Sequence, residues 1–173
     1  MKEKGGGIFA YIDAANLERG SASEQIDLDY QNFYIWLQEK YHIDRVYYFI
    51  GYLPKFDERY KYLEEIGFVI VFKEVVYNKG TPKGNCDADL IVYVMRDYFE
   101  GYCKKVILVS SDGDYAVLVK FLLEQGALRT VISPSAPNRC SILLKRLKVS
   151  ITYLRDIPKK THKNKKAPAQ DKT

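Results

Sequence analysis

Five aspartates stand at positions where a chain element begins or ends. Asp13 closes the apolar run Ile8 to Ile12, Asp87 and Asp89 open a helical stretch, and Asp112 and Asp114 follow the apolar run Val106 to Val109. Carboxylates gathered within about 4 Å of one another repel by roughly 4 kcal/mol per pair at an effective dielectric of 20. A fold keeps such a group when a cation sits inside it or when one acid holds its proton. No histidine lies among these acids, so the fitting cation is hard and oxygen-loving, Mg²⁺ or Mn²⁺. Such an ion in a carboxylate cup suits phosphodiester hydrolysis, because it lowers the pKa of a bound water and neutralises charge developing on the phosphate. On this reading Asp13, Asp87 and Asp112 hold the metal, and Asp114 completes the cup or orients the water. Asn16, one helical turn beyond Asp13, is a candidate for bonding a phosphate or a metal-bound water. Lys83, just before the acidic helix, is a candidate for holding the substrate backbone.

Each residue also has a purely structural reading. Aspartate is a common helix N-cap and suits the positive end of the helix dipole, which by itself accounts for Asp112, Asp114 or Asp87. Asp13 is the harder one to dismiss, since it ends a buried strand with no evident helix to cap.

The elements that must position these residues alternate along the chain. Apolar runs at 8–12, 46–50, 68–72, 106–109, 128–132 and 149–154 read as strands. Between them, Tyr30, Phe33, Tyr34, Leu37 and Tyr41 recur at helical spacing with Asp27 or Asp29 as N-cap, and Pro54 opens a helix that Gly67 stops. Further helices are expected over 87–98, 114–125 and, briefly, 139–147, with a loop at 77–85. Continuously hydrophobic strands, each followed by a helix, predict a three-layer α/β/α, doubly wound and mainly parallel sheet. In such sheets ligands bind beyond the carboxyl ends of the strands, where the strand order reverses. If the strand ending at Asp13 and the strand ending at Val109 are neighbours, the acids converge on one crevice.

The chain has 173 residues, a length for one domain, and an ordinary balance of 47% hydrophobic and 28% charged residues, which excludes disorder throughout. No apolar run approaches the roughly 20 residues needed to span a bilayer, and the N-terminus lacks the features of a signal peptide. Three widely spaced cysteines and two histidines are too few for a disulfide framework or a structural zinc site, and suit reduced thiols in the cytoplasm. The net charge of +5 is concentrated at one end, because residues 158–173 carry six lysines and one aspartate. The expected organisation is therefore a flexible segment 1–7, a domain 8–157 and a disordered lysine-rich tail 158–173. Such a tail is either a solubilising end or a polycation that raises affinity for nucleic-acid phosphates without reading sequence.

Other motifs fail. Gly5, Gly6 and Gly7 precede a strand, whereas dinucleotide-binding and P-loop glycines follow one. The stretch after Asp13 lacks the second aspartate of aspartyl-phosphate phosphatases, and neither His42 nor His162 is placed to activate a nucleophile.

Three motifs in order carry a family resemblance: an apolar strand ending in Asp13-x-x-Asn16, the stretch Lys83-Gly84-Asn85-Cys86-Asp87 with Asp89 beyond it, and a strand followed by Ser110-x-Asp112-x-Asp114-Tyr115. Over about residues 8–155 the chain resembles the NYN branch of the PIN-like nuclease superfamily. The resemblance implies a PIN-like, Rossmann-like α/β/α fold and, in active members, metal-dependent ribonuclease activity through these acids, and it adds Ser110 to the substrate-binding set. The chain departs from the pattern at Cys86, often aliphatic, and at Ser111, frequently glycine. The expected protein is a cytoplasmic Mg²⁺- or Mn²⁺-dependent ribonuclease acting on single-stranded or structured RNA, with DNA open. The alternatives are a non-catalytic RNA-binding or adaptor protein that retains the metal cup, and a small-substrate phosphatase or nucleotidase.

Overall fold

The structure, a computed structural model, describes residues 6–78, 81–83 and 86–163. The elements run β1 (Gly7–Asp13), α1 (Ala14–Ser23), α2 (Tyr30–Tyr41), β2 (Arg45–Gly51), α3 (Asp57–Ile66), β3 (Val69–Lys73), β4 (Val76–Asn78), β5 (Thr81–Lys83), α4 (Asp87–Phe99), β6 (Cys103–Val109), α5 (Ala116–Glu124), β7 (Leu128–Ser133), α6 (Ile142–Arg146) and β8 (Ile151–Tyr153).

Six strands form one sheet in the order β3-β2-β1-β6-β7-β8, and every neighbouring pair is parallel. The period-two alternation of strand side chains divides the core into two layers. On one face Ala10, Ile12, Val46, Tyr48, Ile107 and Val109 pack with Leu17 of α1, Phe33, Trp36 and Leu37 of α2 and Leu63 of α3. On the other, Tyr11, Tyr47, Phe49 and Leu108 pack with Leu90 and Val94 of α4, Leu118 and Leu122 of α5 and Leu144 of α6. Burying each such side chain contributes about 1.5–3 kcal/mol, which is why the strands are apolar throughout rather than alternating. The expected three-layer, doubly wound sheet is thus the observed one, with a fully parallel main sheet.

The strand order reverses between β1 and β6. The chain winds outward from β1 to β3, then crosses back to lay β6 on the other side of β1, with Ile12 opposite Val109. The two strands expected to be neighbours are hydrogen-bonded along their length, and their carboxyl ends frame one crevice.

Three features were not expected. Residues 14–23 form a helix, and Asp13 is its N-cap, accepting a hydrogen bond from the Asn16 backbone N–H at 3.0 Å. Asp13 therefore does have a helix to cap. The helix escapes hydrophobic periodicity because Leu17 is the one large apolar side chain among its buried residues, which otherwise are Ala14, Gly20 and Ser21. Gly20 is required there, since a Cβ would collide with Pro134. Second, within the expected loop 77–85, β4 and β5 pair as an antiparallel hairpin. Third, the folded chain continues past residue 157. Residues Lys159–Thr161 form a 3₁₀ turn, Thr161 is fully buried, and His162 bridges to Leu28. Lys160 and Lys163 pair with Glu39 and Asp27, so the expected disorder does not begin at 158. The rest of the expected tail, 164–173, lies outside the described residues, as do residues 1–5 of the expected flexible start.

Candidate active site

A cavity of about 340 Å³ opens at the switch point, and Asp13, Asp87, Asp112 and Asp114 all line it. They reach it from three places in the chain. Asp13 is the last residue of β1, Asp87 the first of α4, and Asp112 and Asp114 belong to the turn between β6 and α5.

Asp87, Asp112 and Asp114 each offer one carboxylate oxygen, and the three oxygens lie within 4.8 Å of one another. Charges at that separation repel by about 3.5 kcal/mol per pair at a dielectric of 20, less where water reaches the exposed Asp114. Opposite ligands of a single Mg²⁺ lie about 4.2 Å apart, and those of the larger Ca²⁺ about 5 Å. The three oxygens are thus on the scale of one hard divalent ion, and the donor set is all oxygen. The residues present fit such an ion. Cys86 also lines the cavity, but burial first, and the nearby Asp13 carboxylate second, push its thiol up to about 11, so it is protonated at neutral pH and a poor ligand.

Asp13 stands just outside this trio and is tied to it by Tyr115. The fully buried phenol donates towards Asp87 Oδ1 at 2.8 Å and Asp13 Oδ2 at 3.2 Å. Burial raises the Asp13 pKa above the usual carboxylate range. The Asp87 charge adds to this rise, while the Asn16 N–H, the Tyr115 hydroxyl and Arg19 oppose it. The Tyr115 pKa is raised well above the tyrosine range, by burial first and then by the two carboxylates.

The turn that presents Asp112 is fastened on several sides. Ser110 Oγ accepts the Asp112 N–H at 3.1 Å, and Asp112 Oδ1 accepts the Asp114 N–H at 3.1 Å. Asn16 Oδ1 accepts from both the N–H and the Oγ–H of Ser111, whose hydroxyl also meets Ser135 Oγ at 3.0 Å. A Cβ on Gly113 would meet the Ser141 Oγ, so a larger residue there obliges that side chain to move.

Asn16 Oδ1 and Ser110 Oγ both accept hydrogen bonds that fasten the Asp112 turn. Asp89 takes no part in the acidic trio, because Lys73 holds it at 2.7 Å. Lys83 lies on β5, its backbone paired with Val76. Arg19 is the residue that motif reading missed. It lies exposed on α1 and lines the cavity with Ala15, four residues earlier on the same helix face. The signal for it would have been the helix itself, since a cap at Asp13 puts Ala15 and Arg19 one turn apart.

The fold is shared with a solved structure. The crystal structure of a protein of unknown function from Vibrio parahaemolyticus superposes with a TM-score of 0.70, covering 90% of this chain and 98% of that chain at 21% sequence identity. No curated protein matches the sequence. The model of the NYN domain matches residues 8–149, a span from β1 to the turn before β8 that takes in every acid of the cavity, and on that match the chain belongs to the NYN domain family.

Proposed function

We propose that this protein is a metal-dependent ribonuclease. The observation that carries the reading is the oxygen trio of Asp87, Asp112 and Asp114 inside the switch-point cavity of an NYN domain, with Asp13 and Arg19 on the same walls. Asp87, Asp112 and Asp114 hold Mg²⁺ or Mn²⁺. When bound, the ion supplies Lewis-acid polarisation of the phosphate and lowers the pKa of a coordinated water.

The chain's own residues do the rest. Arg19 binds a non-bridging phosphate oxygen at the rim and offsets the negative charge that the acids present to the substrate. Asp13 is the remaining carboxylate of the cavity and orients the attacking water by accepting a hydrogen bond from it. Tyr115 keeps Asp13 and Asp87 together and stays a donor at any physiological pH. Asn16, Ser110 and Ser111 hold the turn so that Asp112 and Asp114 meet the ion without reorganising. The lysines at the C-terminal end strengthen binding to RNA phosphates, with DNA open as a second substrate. The three cysteines are buried thiols, and we read them as suited to a reducing, cytoplasmic setting.

The test is cleavage of end-labelled single-stranded RNA in Mn²⁺, Mg²⁺ or EDTA, with Asp112→Asn beside the parent protein. Metal-dependent products absent from the variant are expected. RNA binding without products in either metal would assign the chain to the non-catalytic binding proteins. Release of phosphate from mononucleotides with intact RNA would assign it to the phosphatases.

A further inference from the structure

The acid cavity does not end at the acids. Its wall at Ala15, Ile50 and Gly51 is shared with a second cavity of about 200 Å³ on the α3 side. That second space is walled by Ile50, Leu53, Phe56, Tyr60 and Val75, with the Glu18–Arg59 pair along one side. Its size is below the roughly 300–1,000 Å³ of pockets for drug-sized ligands and is on the scale of a single flat ring system.

The walls are rigid where they need to be. The Tyr60 hydroxyl accepts the Leu53 N–H at 3.2 Å and donates to the Gly51 carbonyl at 3.4 Å, which pins the segment between β2 and α3. Phe72 and Tyr52 back the Tyr60 ring, with centroids 4.9 and 6.0 Å away. Arg59 is held by Glu18 at 2.6 Å and by the Tyr30 hydroxyl at 2.9 Å, so its guanidinium is fixed in place. Phe56 is 36% exposed, and the Lys55 ammonium lies 4.9 Å from its ring centroid.

We infer that this second cavity is a nucleobase subsite, taking the base of one unpaired nucleotide adjacent to the phosphate held in the acid cavity. Apolar and aromatic walls accept the faces of a base, and stacking of this kind tolerates any base. The Glu18–Arg59 pair presents both an acceptor and a donor to its edge. Lys55 meets a flanking phosphate. A base inside a duplex has both faces covered by its neighbours and its pairing edge used, so the subsite selects single strands at this end of the cleft. The inference rests on the ribonuclease reading for the identity of the polymer and for the phosphate held beside the acids.

The experiment uses the full chain with its acids intact, in Ca²⁺ in place of Mg²⁺ so that the ion site is filled while binding is read, with any cleavage followed on the same samples. The probes are a dye-labelled single-stranded oligoribonucleotide and a series of the same oligomer with one abasic nucleotide at successive positions. Phe56→Ala should weaken binding about tenfold, within the range found for loss of one stacked base, and Phe56→Tyr should not. An abasic nucleotide at one position should weaken the parent equally and leave Phe56→Ala no further effect, and a duplex should bind parent and variant alike. Equal binding by Phe56→Ala and its parent, or a loss that no abasic position reproduces, overturns the subsite and leaves the cavity as a place for an apolar protein side chain. Cleavage in Mg²⁺ is read separately. Cleavage without base dependence sinks the subsite alone, base dependence without cleavage sinks the nuclease alone, and absence of binding sinks both.

Discussion

One side-chain oxygen of Asn16 accepts both hydrogen bonds that Ser111 can donate, from its backbone N–H at 2.8 Å and from its hydroxyl at 2.9 Å. The two residues are 95 positions apart, and the contact ties the first turn of α1 to the turn after β6 across the switch point. It also explains how a serine side chain is accommodated at position 111. The Ser111 hydroxyl is enclosed between Asn16 and Ser135, so the side chain fastens the turn instead of crowding it.

Asn16→Ala should therefore act on the acids without touching them. Leaving the buried Ser111 N–H and hydroxyl without that acceptor is expected to lower stability by about 1–3 kcal/mol. Urea unfolding measures that loss, and a Mn²⁺ titration should show weaker binding as the Asp112 turn loosens. Unchanged Mn²⁺ affinity in a destabilised variant would confine Asn16 to the scaffold.

Tyr115→Phe removes the hydroxyl between Asp13 and Asp87 and keeps the buried ring. Groups that orient metal ligands typically contribute 10- to 100-fold to affinity. Calorimetric titration with Mn²⁺ should show a loss of at least about tenfold with little change in the thermal midpoint of the metal-free protein. If affinity is unaltered, the phenol serves packing alone.

Metal binding should be visible as stability. An ion that binds the folded chain and not the unfolded one adds about 2.7 kcal/mol at a concentration 100 times its dissociation constant. Mn²⁺ is expected to raise the melting temperature of the parent, EDTA to reverse the rise, and Asp112→Asn or Asp114→Asn to abolish it. A rise of equal size in Asp114→Asn would remove that exposed carboxylate from the ligand set.

The buried tyrosines set an alkaline limit. Burial first, and then neighbouring ionisable side chains, raise the pKa of Tyr11 and Tyr48 above 10.0 in the folded chain. Above pH 10 the unfolded chain loses these phenolic protons while the folded one keeps them, so the folded state binds more protons and its stability falls. The contribution is intact below pH 10 and declines by about 1.4 kcal/mol per pH unit for each such tyrosine. Urea midpoints measured from pH 8 to 11 should show the decline, and Tyr48→Phe should make it shallower. A midpoint independent of pH over that range would mean that these phenols ionise in the folded protein as readily as in the unfolded one.

Much of this molecule is legible in the residues themselves. Apolar runs of strand length mark the strands of a covered sheet, although those of β3 and β8 lie at its edges, and a helical period between them points to a layered α/β fold. Aspartates at the ends of such strands must then gather at one edge of the sheet. What the pattern could not convey was the business of short-range and long-range contacts. Helix α1 was hidden because small residues bury without producing an apolar stripe, so the capping role of Asp13 was hidden with it. Lys73 removed Asp89 from the acidic set through a contact between β3 and α4, and Asn16 and Ser110 became struts through bonds to the Asp112 turn. Arg19, the Tyr115 bridge and the cavity behind Gly51 depend on which elements the crossover lays side by side. Local sequence dictates burial and period, because those depend on neighbours in the chain. The partner of each polar atom depends on the packing of distant segments, and only the tertiary structure decides it.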